Sequence, residues 1–166
     1  MKKLIFLILI IVVGKYSWDR YQKTLEEAKK PDVFVNPVYA VVRLEIKAQG
    51  RAFEEVIFAE TRDVADCQNA SKALVGEATH SDQQGLSWQL KSSECKNELD
   101  DRHTKLFKNQ PTSVTYLSLS RGSPKEREVR VVYWGVTVEE SDRVCGGVSR
   151  MQQGRKGAVK CILAQR

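Results

Sequence analysis

VYAVVRLEIKAQGRAFEEVIFAE, residues 38–60, is a hairpin written in side-chain alternation. Val38, Ala40, Val42, Leu44 and Ile46 alternate with Tyr39, Val41, Arg43, Glu45 and Lys47. A period of two places the first set on a core face and the second on a mostly wet one. AQGR, with Gly50 supplying a positive φ, then turns the chain into a second strand, Phe53–Glu60.

The chain downstream repeats a pattern. A helix is expected over Arg62–His80, with Val64, Cys67, Ser71, Leu74 and Ala78 on one stripe. Leu86, Trp88 and Leu90 alternate in a third strand, with Cys95 after them. Residues 96–111 are polar, with Leu99, Leu106 and Phe107 as their sizeable apolar groups, and read as a connector with a helical turn or two. Val114–Leu119 is a further strand whose core face is ambiguous, because apolar and polar residues fall on both parities. RGSPKE makes a turn, and Val129, Val131 and Tyr133 alternate after it. A helix over about Val138–Met151 carries Val138, Ser141, Cys145 and Val148 on one stripe, interrupted by Gly146 and Gly147. Gly157 opens a last strand in which Val159, Cys161 and Leu163 share a face.

Strand, strand, helix, strand therefore occurs twice, over about 38–95 and 112–165. The expected class is α+β, an antiparallel sheet with two helices on one face, built of two ββαβ-like halves. A ferredoxin-like arrangement, or two such units sharing a sheet, fits this order.

Four cysteines and no CxxC allow three pairings. The repeat favours Cys67 with Cys95 and Cys145 with Cys161, each stapling a helix to the strand that follows it. Parity suits the second pair, since Cys161 faces the same way as Val159 and Leu163. In the first half, steps of two from Leu90 reach Glu94 rather than Cys95, so a bulge or the end of the strand must intervene. The alternative is four buried thiols in a cytosolic domain; an oxidising compartment favours bridges.

The compartment is argued from the N-terminus. Lys2 and Lys3 precede Leu4–Val13 (LIFLILIIVV), ten residues without a polar side chain. Ten is the length of a signal-peptide core and short of the about 20 that span a bilayer. Val12 and Gly14 occupy the positions a signal peptidase inspects, yet no Ala-x-Ala is present. Tyr16 and Trp18 suit a membrane interface, and Lys15 with the two N-terminal lysines can snorkel, which favours an uncleaved anchor. Trp18, Tyr21, Leu25 and Ala28 continue one stripe, giving an anchor and stalk helix from about Leu4 to Lys30, then a linker over 31–37. Lys and Arg are more numerous after the run than before it, which by itself would leave the domain in the cytoplasm. A short signal-anchor and the cysteines argue for export. The expectation is a single-pass inner-membrane protein with residues 38–166 in the periplasm, a cleaved and secreted form being the alternative.

The formal charge of +6 sits largely beside that run: residues 1–30 carry 7 basic against 3 acidic side chains. Anionic headgroups attract such a cluster, and the nearly balanced remainder implies no nucleic-acid partner. GxSxG, Walker A, GxGxxG and HExxH patterns are absent. Cys67, His80, Cys95 and His103 lack the close ligand pairs of a zinc site, so no metal or cofactor is expected. Asp100–Asp101 and Glu139–Glu140 are sequence neighbours and do not face each other as an acid/base couple. Glu139 and Glu140, like Asp63 and Asp66, complement a helix N-terminus instead. Asn69-Ala70-Ser71 is a glycosylation sequon set in a helix, a poor acceptor context.

Arg121, Lys125, Arg127 and Arg130, interleaved with Glu126 and Glu128, form either a solvated turn or a patch for an acidic partner. Trp134 joins them through its parity with Arg130 and Val132. With both helices on one face, Val41, Val132 and Trp134 leave apolar groups on the other, either a partner site or ground covered by linker or stalk. The functional expectation is a non-enzymatic binding or accessory protein of the envelope. The alternatives are a hydrolase or redox enzyme whose site no motif reveals, and a structural envelope protein.

Overall fold

The structure, a computed structural model, describes residues 34–48, 50–79 and 86–165. The expected anchor, stalk and first part of the linker lie outside them, as do His80 and the loop after it. Among the described residues no helix is long and apolar enough to cross a membrane.

The chain is mixed α+β around one six-stranded sheet in which every pairing is antiparallel. The strands are β1 (Val38–Ala48), β2 (Arg51–Thr61), β3 (Leu86–Lys96), β4 (Tyr116–Leu119), β5 (Val129–Trp134) and β6 (Val159–Ile162). Their order across the sheet is β3-β1-β2-β5-β4-β6. Each half thus contributes a hairpin flanked by its own third strand, and the halves meet where β2 pairs β5, Ile57 opposite Val131. Two ββαβ units share one sheet; the β-α-β-β-α-β order of a ferredoxin-like domain is not formed.

The helices are α1 (Val64–Thr79), α2 (Asp101–Phe107), α3 (Val138–Gly146) and α4 (Val148–Met151). The expected helix over 138–151 is broken at Gly146-Gly147, where Gly147 ends α3 and begins α4. Helices α1, α3 and α4 pack on one face, against Ala40, Val42, Leu44, Ile57, Ala59, Leu117 and Val131. The buried side of α1 is Cys67, Ala70 and Ser71, while Val64 at its start is exposed.

The opposite face is where the structure departs from expectation. Val41, Val56, Phe58, Tyr116 and Val132 form a second core, closed by Leu106 of α2. Among the described residues the cover is the connector, which buries Val41 at 4% exposure, while Tyr39, Arg43 and Glu45 on the same face of β1 are part-buried and Lys47 is exposed. Both faces of β4 are buried, Tyr116 on one and Leu117 on the other. That explains why its alternation could not be assigned to a single core face. Each such side chain, fully buried, contributes about 1.5–3 kcal/mol.

Two disulfides, Cys67–Cys95 and Cys145–Cys161, join each half's helix to its edge strand, with Cα–Cα separations of 6.0 and 5.4 Å. The parity conflict at Cys95 resolves through a bulge. Arg43 pairs Ser92 and Leu44 pairs Leu90, so Lys91 is an extra residue. Beyond it Cys95 stands opposite Ala40, on the face that α1 covers. Closing loops of 28 and 16 residues is worth about 3–4 kcal/mol each.

Candidate functional site

Arg130 explains why the connector stays in place. It is 0% exposed on β5, facing α2. Its Nε donates to the Leu106 carbonyl at 2.8 Å, Nη1 to Val129 at 2.9 Å, and Nη2 to Glu128 at 2.6 Å and the Phe107 carbonyl at 3.4 Å. A cation at these last carbonyls of α2 is placed where the helix dipole favours it. The Phe107 ring also lies 4.9 Å from the guanidinium carbon. Arg130 is therefore withdrawn from the surface patch expected of it, because burying its charge is tolerable only with this set of acceptors.

The other basic residues of that patch are not gathered together either. The Arg127 guanidinium forks onto Asp66 of α1 with two contacts of 2.8 Å. This pairing, with the Arg62 backbone amide, holds the Asp66 carboxyl down at about 2. Arg121 lies over the Phe34 ring at 3.9 Å, and its backbone N–H donates to Glu128. Lys125 is exposed in the turn. Glu126 accepts from three backbone amides, Gly122, Lys156 and Gly157, at 2.6–2.9 Å, locking this turn to the loop before β6. A side chain at Gly157 would meet the Ser120 carbonyl at 1.8 Å, so only glycine permits that approach. Trp134 stands at the other end of β5, 42% exposed.

Trp134 instead borders a hollow of about 520 Å³ between the sheet and α2. Val56, Phe58 and Val132 line its sheet side, and His103 and Leu106 come from α2. Arg43, Arg102 and Lys105 supply cations, and Glu54 and Asp100 anions. Arg43 pairs Glu54 at 2.9 Å. The His103 ring stacks 4.6 Å from Phe58, and partial burial pushes its imidazole down, opposed by Asp100.

A second hollow, of about 530 Å³, lies on the other face between α3 and the strand ends. Tyr133 lines it and is hydrogen-bonded to Glu55, its cross-strand partner on β2. Glu55 is 7% exposed, and burial pushes its carboxyl up to about 7, opposed by the hydrogen bond with Tyr133. The Tyr133 phenol is in turn pushed above its usual range by burial and by the Glu55 charge. Pattern reading passed over this pair, since a glutamate on a strand beside another glutamate looks solvated. The available signal was parity, which places Glu55 with Ile57 and Ala59. Thr137-x-x-Glu140, a capping box that starts α3, was likewise legible.

Among the described residues no group of three His, Cys, Asp or Glu side chains is placed to hold a metal ion. The bridge takes Cys67 and Cys95 out of any ligand set. No protein-family model, curated protein or solved structure matches this chain.

Proposed function

We propose that this chain is an exported domain, held at the outer face of the inner membrane by Leu4–Val13, that acts as a non-enzymatic binding or accessory protein. The observation that carries the reading is the pair of disulfides, each tying a helix to the edge strand of its own half. Structural bridges of this kind belong to oxidising compartments. A lysine-flanked apolar run is the matching address.

The partner surface in this reading is the hollow beside α2. It combines a half-exposed tryptophan with Arg43, Arg102 and Lys105, and Trp and Arg are the side chains that dominate binding energy at protein interfaces. Arg121 and Lys125, beyond the far end of β5, fall outside it, which narrows the expected patch to Trp134 and its new neighbours.

Two measurements test the proposal. Acid-quenched alkylation of the full chain in cells should find no free thiol among the four cysteines. A photo-crosslinking residue at Trp134 should give a discrete adduct in the envelope, and one at Lys72, on exposed α1, should not. Four free thiols would remove the export argument, and identical adducts from both positions would remove the assigned surface.

A further inference from the structure

Helix α3 has an apolar stripe, yet none of its residues is buried. Its counterpart α1 buries Cys67, Ala70 and Ser71 against the same sheet face. The difference is the 530 Å³ hollow under the first turns of α3. Val138, Ser141 and Asp142 stand at i, i+3 and i+4 and form one wall; Val114, Tyr133 and Leu163 belong to the facing one. Val138 and Leu163 remain 52% and 59% exposed, so the apolar walls are open to an occupant.

The lining has one formal charge at neutral pH, that of Asp142, and contains no Lys, Arg or His. Asp142 makes no ion pair among the described residues. Nearby on α3, Glu140 is paired with Arg51 and bonded to the Thr137 amide, while Glu139 adds further negative charge. Arg143, the basic residue of α3, does not line the hollow. An anionic guest would meet Asp142 with no compensating cation, whereas an ammonium group would find its counter-ion waiting.

We propose that this hollow binds a small apolar molecule bearing one protonated amine, its hydrocarbon part between Val114, Val138 and Leu163 and its ammonium on Asp142. The volume is in the range of small-molecule sites, about 300–1,000 Å³, and the mix of apolar walls with few polar groups is what such sites show. Ser141, one position before Asp142, adds a hydroxyl oxygen that accepts a further ammonium hydrogen bond. This hollow and the Trp134 hollow share Ser113 and Val114 as a border, but Asp142 and Val138 line this one and not the other, so the amine site is testable apart from that surface.

Calorimetric titration of the full-length chain in an uncharged detergent at pH 7 tests it with three probes of one shape: phenethylamine, 2-phenylethanol and phenylacetate. Phenethylamine should bind saturably and at least tenfold more tightly than the other two. Asp142→Asn, at an exposed position without an ion pair, should erase that preference without lowering Tm. Val138→Trp should abolish binding by filling the hollow. Absence of saturable phenethylamine binding, equal binding of all three probes, or an unchanged preference in Asp142→Asn would each overturn the assignment.

Discussion

Arg130 and Glu55 are both buried in the sheet, but one is charged and compensated while the other is driven toward neutrality. Arg130 delivers its donors to the end of α2 and to Glu128. Arg130→Met should therefore cost about 3–5 kcal/mol in urea denaturation, because the Leu106 carbonyl and Glu128 lose their donor. A loss under about 1 kcal/mol would show that the network does not hold the connector. Glu55 is hydrogen-bonded to the Tyr133 hydroxyl and makes no ion pair among the described residues. Its folded-state pKa is raised, from 4.5 to about 7. Between these values the unfolded chain ionises while the folded carboxyl keeps its proton, so stability falls as pH rises through that window and levels off above it. In Glu55→Gln this fall should disappear, leaving the variant about 2–3 kcal/mol more stable than the parent chain at pH 8. A pH series of Tm values showing parallel curves for the two proteins would refute that role.

At the scale of elements, β3 and α3 depend on single local features. The extra residue Lys91 lets Leu90 and Cys95 share a face although an odd number of positions separates them. Deleting Lys91 removes the bulge and leaves Cys95 four positions from Leu90, so regular pairing keeps it opposite Ala40 on the side of α1. Non-reducing alkylation should then still find no free thiol, with Cys67–Cys95 and Cys145–Cys161 both intact. Two free thiols, Cys67 and Cys95, would mean that the strand beyond the deletion shifts register by one residue. Helix α3 starts on a complete capping box, with the Glu140 amide donating to Thr137 and the Thr137 amide to Glu140. It ends where two glycines follow one another and the chain restarts as α4. With no buried residue of its own, its attachment rests on the Cys145–Cys161 bridge, the Arg51–Glu140 pair and partial packing of Val144.

For the whole molecule, that asymmetry predicts unequal halves. Replacing Cys145 and Cys161 by alanine should remove hydrogen-exchange protection from α3 while β1 and β2 keep theirs. Replacing Cys67 and Cys95 should lower global stability by a similar amount, about 3–4 kcal/mol, yet leave α1 protected, since Ala70 and Ser71 still pack on the sheet. Equal loss of protection in both helices would refute the difference. The halves are coupled by the β2–β5 ladder and by the Arg127–Asp66 fork, which joins the second hairpin to the first helix. The two hollows, one beside α2 and one beside α3, meet at Ser113 and Val114 of the second half.

Much of the architecture was legible because it is local. Alternation in 38–60 specifies a hairpin, the cysteine spacing repeats with the ββαβ pattern, and the missed step at Cys95 already demanded a bulge or a strand end. Glu139 and Glu140 at the start of α3 follow from the dipole alone. What could not be read from the chain was which polar segment closes the second face. Residues 96–111 carry only Leu99, Leu106 and Phe107 as apolar anchors, and their docking rests on Arg130, 24 positions beyond Leu106. Arg130 in turn reads as surface charge until α2 is laid over it. A buried cation or carboxyl is defined by partners distant in sequence, and a hollow by the surfaces of several elements. Periodicity reports which way a side chain points; only the tertiary structure decides what it meets there.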